Sequence, residues 1–98
     1  MVQTRGSLGR LVSDIAIDDT YIYVVDTDNN RIQIFDKSDR TFVTTVGGKG
    51  FGNGQLVEPT SLAVVSGHHF YVADPNNIRI QLFKWNSVTS RWTYHSKV

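Results

Sequence analysis

The strongest constraint on the fold is that one segment of the sequence occurs twice. Residues 23–35 align without a gap on residues 71–83, and eight of the thirteen aligned positions are identical at an offset of 48 residues. Upstream, residues 14–17 pair with residues 61–64 at an offset of 47, so the second unit carries one extra residue near Gly67-His68-His69. A period of this length is typical of repeat proteins, in which each unit is one supersecondary element that cannot bury its apolar face alone.

Each unit has the residue pattern of four short β-strands. The strand predicted at residues 21–26 is apolar at both alternating sets of positions, so we expect it to be covered on both faces. Clusters of turn-forming residues separate the strands, and no segment has the period of a helix. The predicted strands are residues 14–18, 21–26, 31–35 and 41–46 in the first unit and 61–65, 70–74, 79–84 and 91–95 in the second.

A glycine-rich connector joins the units. It lacks the G-x-x-x-x-G-K-[ST] spacing of a phosphate-binding loop and no predicted helix follows it, so we interpret it as the crossing between two sheets. Residues 6–12 look like the shortened end of the same connector. The predicted parts are an N-terminal connector at residues 1–12, the first unit at 13–47, the glycine-rich connector at 48–59 and the second unit at 60–98.

Three motifs of the second unit together resemble the NHL repeat. They are Glu58-Pro59-Thr60-Ser61-Leu62-Ala63-Val64, Phe70-Tyr71-Val72-Ala73-Asp74 and Asn77-Ile78-Arg79-Ile80-Gln81-Leu82-Phe83. The first unit keeps Tyr23-Val24-Val25-Asp26 and Asn29-Asn30-Arg31-Ile32-Gln33-Ile34-Phe35 but has Ser13-Asp14 where that family usually has proline. The resemblance implies an all-β fold with two consecutive four-stranded antiparallel blades of a β-propeller. Since NHL propellers commonly have six blades, it also implies a ring of three chains.

Two blades cannot close a propeller, because each blade packs both of its faces against neighbours around a central channel. If each outer face exposes about 400 Å² of apolar surface, its burial contributes roughly 10 kcal/mol. We therefore expect copies of the chain to join head to tail until the ring closes, as a homotrimer. The alternative is that the 98 residues are an excised or engineered part of a longer propeller.

Composition excludes several kinds of chemistry. The chain has no cysteine, which rules out disulfides, thiolate metal sites and thiol catalysis. Its formal net charge is +1, so there is no general electrostatic reason to expect nucleic acid or an anionic membrane as a partner. The first residues lack the apolar segment of a secretory signal and no apolar run approaches the length of a membrane span, which makes the cytoplasm the default expectation.

Two Asp–Arg pairs recur at the same place in both units. Asp26 and Asp74 end the second predicted strand, and Arg31 and Arg79 begin the third strand five residues later. One interpretation is a repeated polar ring with a binding function. We favour a structural one, in which each carboxylate accepts backbone N–H groups of the turn and pairs with the arginine across the hairpin.

Further polar residues are predicted to share one rim of the propeller, as candidates for binding an unidentified protein or small ligand. Grouped carboxylates can bind Ca²⁺, but that ion needs six to eight oxygens converging on one point, which this spacing does not demonstrate. We therefore assign no metal and no cofactor. The candidate rim residues are Asp28, Asn29, Glu58, Asn76 and Asn77.

The remaining chemically distinctive residues are histidines and aromatics of the second unit. His68 and His69 are adjacent, and neighbouring strand residues point to opposite faces, so we do not expect them to chelate one ion. An aromatic and cationic cluster in the last hairpin could bind nucleic acid, but we favour packing because the chain is almost neutral. That cluster comprises Lys84, Trp85, Arg91, Trp92 and Tyr94.

The sequence favours a non-enzymatic scaffold or binding module, since no nucleophile, base and oxyanion donors can be assembled from it and we assign no catalytic residue. A second hypothesis follows from the resemblance, because some similar propellers are lyases or Ca²⁺-dependent hydrolases with a metal in the central channel. RNA binding, found in some NHL-repeat proteins, is a third.

Overall fold

Each repeat unit forms one four-stranded antiparallel sheet in the computed structural model, which describes residues 7–98. The strands lie side by side in the order of the chain, which confirms the predicted all-β class. Residues 1–6 of the predicted N-terminal connector lie outside the described residues. The first sheet contains β1 (Val12–Ile17), β2 (Tyr21–Asp26), β3 (Arg31–Asp36) and β4 (Phe42–Gly47), and the second contains β5 (Ser61–Val65), β6 (His69–Asp74), β7 (Arg79–Asn86) and β8 (Arg91–Lys97).

The first strand ends one residue earlier than predicted. β1 stops at Ile17 because the Asp18 carboxylate turns back onto the chain and accepts two backbone N–H groups. These are the N–H groups of Thr20, at 2.8 Å, and of Tyr21, at 2.7 Å. Hydrogen bonds from backbone N–H groups to a side-chain carboxylate compete with continued strand pairing, so the chain turns at this point.

The last hairpin is longer than predicted. β7 continues to Asn86 because Trp85 and Trp92 form an additional cross-strand pair, and β8 continues to Lys97, which pairs with Gln81. Directly opposed aromatic residues stabilise antiparallel pairing. The last hairpin of the second sheet is therefore longer than the corresponding hairpin of the first sheet, which turns after Asp36.

Within the described part of the chain, three short helical turns occur where no helix was predicted. Each spans three residues, at Thr27–Asn29, Ser66–His68 and Pro75–Asn77, and the second is irregular because Gly67 has a φ of 82°. The first and last are closed by residues in the left-handed conformation, Asn30 and Ile78. Within residues 7–98, no helix is long and apolar enough to cross a membrane.

The core lies between the two sheets. Tyr23 and Val25 of β2 face Phe70 and Val72 of β6, and the rings of Tyr23 and Phe70 are 5.5 Å apart. β1 and β5 run beside each other at one edge, where the Leu62 N–H donates to the Asp14 carboxylate at 3.1 Å. The buried cluster comprises Tyr23, Val25, Ile32, Ile34, Val46, Leu56, Leu62, Phe70, Val72, Phe83 and Trp92.

The opposite faces of both sheets carry apolar residues that nothing in the described chain covers fully. On the first sheet Ile15 is 57% and Ile17 55% exposed. On the second, Tyr71 is 37% and Ile80 42% exposed. Residues 7–98 thus bury one sheet-to-sheet interface and leave one face of each sheet partly open.

Candidate functional site

The carboxylate of Asp26 organises a buried cluster of hydrogen bonds at the end of β2. It accepts from Arg31 Nε at 2.9 Å and from Asn29 Nδ2 at 3.1 Å. Its other oxygen accepts the backbone N–H of Gly9 at 3.0 Å. The sequence pattern predicted that Asp26 accepts backbone N–H groups of the turn. The backbone N–H group of Gly9 belongs instead to the connector that enters the sheet, and the turn contributes the side chain of Asn29.

Arg31 and Gln33 hold the same connector from the neighbouring strand. The Arg31 guanidinium donates to the carbonyl of Ser7 at 2.5 Å, and Gln33 Nε2 donates to that carbonyl at 2.9 Å. Asp26, Arg31 and Gln33 are all buried. We call this set of three side chains, with its counterpart in the second unit, the connector clasp.

The second unit repeats the clasp with corresponding atoms. Asp74 accepts from Arg79 Nε at 3.3 Å and from the backbone N–H of Val57 at 3.1 Å. The carbonyl of Gln55 accepts from Arg79 at 2.6 Å and from Gln81 at 2.8 Å. Buried polar groups need such partners to offset their desolvation, so each clasp fixes its connector onto the sheet.

The glutamines of the clasp were not singled out from the sequence. Gln33 and Gln81 align with each other at one of the eight positions that are identical in both repeats, and this identity was the available signal. Gln33 Nε2 and Gln81 Nε2 donate to backbone carbonyls of the connectors, which carry no sequence signature. The side chains of the Asp–Arg pairs contact the same connectors.

The five candidate rim residues divide into two groups. Asn29 and Asn77 turn inward, where Asn77 Nδ2 donates to Asp74 at 2.6 Å. Asp28, Glu58 and Asn76 are exposed. Asp28 accepts the Leu11 N–H at 3.0 Å, and Glu58 accepts a 3.3 Å hydrogen bond from Asn76.

The rim carboxylates of Asp28 and Glu58 do not belong to any group of three potential metal ligands within residues 7–98. A Ca²⁺ ion needs more oxygens than these two residues present together. The exposed part of the rim is a polar surface that offers hydrogen bonds.

A bridge between the sheets, which the sequence did not reveal, centres on Asp18. Its Oδ2 accepts a 2.6 Å hydrogen bond from the Tyr23 hydroxyl and a 2.7 Å bond from His68 Nδ1. Because an ionised carboxylate can only accept, the hydrogen lies on Nδ1 of His68. Burial alone raises the pKa of Asp18, but the hydrogen bonds from His68, Tyr23 and the backbone outweigh it and lower the pKa to about 2.

The bridge also affects the pKa values of the two tyrosines around it, Tyr21 and Tyr23. Burial, followed by the hydrogen bond to Asp18, raises the pKa of Tyr23. Burial and the nearby carboxylates of Asp36 and Asp18 raise the pKa of Tyr21. Both phenols therefore stay neutral at physiological pH, where Tyr23 acts as a hydrogen-bond donor to Asp18.

Asp18, Asp19 and His68 bring three potential metal-ligand atoms within 4.8 Å of one another. Each oxygen of Asp18 already accepts two hydrogen bonds, which uses its four lone-pair positions. A cation would have to displace the bonds that join the sheets. The geometry fits a structural bridge better than a metal centre.

The aromatic residues of the last hairpin pack onto the first sheet. Trp85 and Trp92 lie 4.3 Å apart, and the Trp92 ring lies 5.0 Å from that of Tyr21. The Trp92 indole N–H donates to the carbonyl of His68 at 2.6 Å, while His69 Nδ1 accepts the backbone N–H of Trp85 at 2.8 Å. The two histidines thus have separate partners, and the aromatic rings serve the interface between sheets.

Two four-stranded antiparallel sheets, one from each sequence repeat and packed on a shared apolar core, define a repeat-containing all-β protein whose sheets fit propeller blades. A family model for the LVIVD repeat, which is associated with β-propellers, matches residues 9–47 and 60–80, more than half of the chain. The chain therefore belongs to the LVIVD-repeat family. The matched ranges include the Asp–Arg pairs of both clasps. No curated protein matches the sequence significantly.

Proposed function

We propose that this protein is a non-enzymatic β-propeller binding module whose chains associate head to tail into a closed ring. Three chains of two blades complete six, the number implied by the resemblance to NHL propellers. The observation that carries the proposal is that each open face repeats one half of the buried interface.

The open face of the first sheet corresponds to the buried face of the second. Ile15 matches Leu62 through the repeat, yet Ile15 is 57% exposed and Leu62 is 9% exposed. Cross-strand pairing places all the matching residues on one face in each sheet. The open face carries Ile15, Ile17, Ile22 and Phe35, with Val24 beside them at 5% exposure, and the matching buried face carries Leu62, Val64, Phe70, Val72 and Phe83.

The converse holds for the open face of the second sheet. Tyr71 and Ile80 match Tyr23 and Ile32, which are fully buried between the sheets. Each chain therefore presents both halves of one apolar interface on opposite sides. Such an arrangement generates heterologous contacts, which end only when the rotation closes a ring.

The proposed contact between chains differs from the internal one in two ways. Lys37 stands in the first unit where the second has Trp85, because the first hairpin turns earlier. The positions that match Asp18 and His68 hold Val65 and Thr20, which cannot form the hydrogen-bonded bridge. We therefore expect the contact between chains to be weaker than the contact within the chain, and the ring to dissociate on dilution.

Solution mass tests the proposal directly. Sedimentation equilibrium over a wide concentration range should give three times the 11.0 kDa chain mass at the high end. A compact, soluble chain that keeps the mass of one copy at high concentration would overturn it.

The binding role rests on the exposed rim. Asp28, Glu58 and Asn76 lie where a partner can reach them, and a ring of three chains would carry three copies of each. Repeated weak sites gain avidity when a multivalent partner engages them together.

A further inference from the structure

A hollow of about 430 Å³ lies at the end of the second sheet. Three exposed apolar residues line it, and of these Ile78 is 91% exposed. Exposed apolar residues that gather around one hollow are a common feature of contact sites. The lining residues are Phe51, Asn77, Ile78, Arg79, Lys97 and Val98.

Ile78 has an unfavourable backbone conformation in addition to its exposure. Its φ of 52° and ψ of 51° lie in the left-handed region, which β-branched residues rarely adopt. The first unit has Asn30 at the matching position with a φ of 56°, and asparagine tolerates this conformation. Strained residues in exposed positions point to a functional contact.

The matching place in the first sheet is filled by the glycine-rich connector. Leu56 inserts there, is fully buried and belongs to the same apolar cluster as Ile32 and Val46. A Cβ atom on Gly47 would lie 2.7 Å from Leu56 Cδ1, so the leucine fits closely against the backbone. Two residues later, the Glu58 N–H donates to the Asn30 side chain at 2.8 Å.

The clasps identify the residue that corresponds to Leu56 in the N-terminal connector. Ser7 and Gly9 occupy the places of Gln55 and Val57, because each pair binds the same clasp atoms. Leu8 therefore corresponds to Leu56. It is 43% exposed.

We propose that Leu8 of a second copy of this chain inserts into the hollow beside Ile78 and Val98. Strand register makes Val98 the match of Val46, just as Ile78 matches Asn30. The second unit thus has the apolar side chain of Ile78 where the first unit has Asn30, which forms a hydrogen bond to the connector. The inference rests on the proposed ring and identifies one contact between its chains, which we call the latch. In the latch, the clasp of one chain holds its N-terminal connector, and Leu8 of that connector reaches the second sheet of the neighbouring chain.

The test compares association constants of full-length variants by sedimentation equilibrium. Leu8→Ser should raise the dissociation constant about tenfold to a hundredfold, as expected when a buried leucine is lost. Val88→Ser, at the tip of the last hairpin where the side chain is 92% exposed, should leave it unchanged. Ile78→Asn should weaken association while the melting temperature of the dissociated chain stays the same or rises, a combination that misfolding does not produce.

A cysteine pair gives an independent readout, because the chain contains no cysteine. Leu8→Cys combined with Ile78→Cys should form disulfide-linked multimers under oxidation, whereas Leu8→Cys with Val88→Cys should not. If the parent chain assembles but Leu8→Ser assembles equally well and the pair forms no link between chains, the latch is overturned and the ring stands. If the parent chain has the mass of one copy throughout, the ring and the latch are both overturned.

Discussion

Asp18 and His68 are separated by 50 residues in the sequence, yet the Asp18 carboxylate and His68 Nδ1 form a 2.7 Å hydrogen bond between the two sheets. The same carboxylate closes the turn after β1 and accepts the hydroxyl of Tyr23. One side chain therefore connects a turn, a core tyrosine and the neighbouring sheet. The packing of the sheets depends on more than their apolar faces.

Replacing this carboxylate should destabilise the chain. Asp18→Asn keeps the shape but loses the charge and one acceptor oxygen, so hydrogen bonds to a charged group are lost in the partly buried bridge. We expect the free energy of unfolding to fall by about 2 kcal/mol. Urea denaturation measures it, and Asp19→Asn, an exposed neighbour outside the bridge, is the matched control. Equal effects of the two substitutions would contradict the structural role of Asp18.

The bridge should also make stability depend on pH in acid. The pKa of Asp18 is lowered from 3.8 to about 2 in the folded chain, so the folded state holds its proton less tightly than the unfolded state. The stabilisation is complete above the unfolded value and is lost as the pH falls from 3.8 towards 2. The difference in unfolding free energy between the parent chain and Asp18→Asn should shrink across this interval. A difference that is constant from pH 6 to pH 2 would exclude this linkage.

Sequence comparison between the repeats revealed the strands and the Asp–Arg pairs, because both depend on local pattern. It missed the Asp18–His68 bridge for the opposite reason. The bridge forms where the repeats differ, since His68 lies beside the extra residue of the second unit and the position matching Asp18 holds Val65. An alignment that seeks identity directs attention away from such residues.

The extent of the last hairpin was also beyond local pattern. Trp85 and Trp92 pair across the strands and cover Tyr21 of the other sheet, so tertiary packing rather than strand propensity sets the hairpin length. The two clasp glutamines were invisible for a related reason, because their role depends on connector carbonyls. The sequence repeat therefore predicts the strands of each sheet. It does not predict how the sheets and the connectors contact one another.

The clasp provides a third prediction. Asp74→Asn removes the charge that pairs with Arg79, whose side chain is 7% exposed, and leaves that cation without its charged partner. Breaking such a pair costs about 3 kcal/mol or more, and we expect a loss of that size in urea denaturation. Hydrogen exchange should accelerate at the Val57 amide, which the carboxylate binds. Glu58→Gln, an exposed change on the same connector, should alter neither the free energy of unfolding nor the exchange rate of the Val57 amide. If Asp74→Asn also leaves both unchanged, the clasp does not stabilise the chain.

A charge placed on an open face separates the stability of the chain from its association. Ile17 is 55% exposed, and its match in the second unit, Val64, packs against the buried core. In a single chain, Ile17→Asp puts a carboxylate into water and should cost no more than about 1 kcal/mol through its lower strand propensity. In the proposed ring the same carboxylate would be buried without a partner, so assembly should weaken at least a hundredfold. Val88→Asp adds the same charge at the tip of the last hairpin and should leave both quantities nearly unchanged, because that residue is 92% exposed in the chain and lies outside the proposed contact. If Ile17→Asp assembles with the affinity of the parent chain, the first sheet does not contribute its open face to the contact, and the correspondence between open and buried faces reflects repeat ancestry alone.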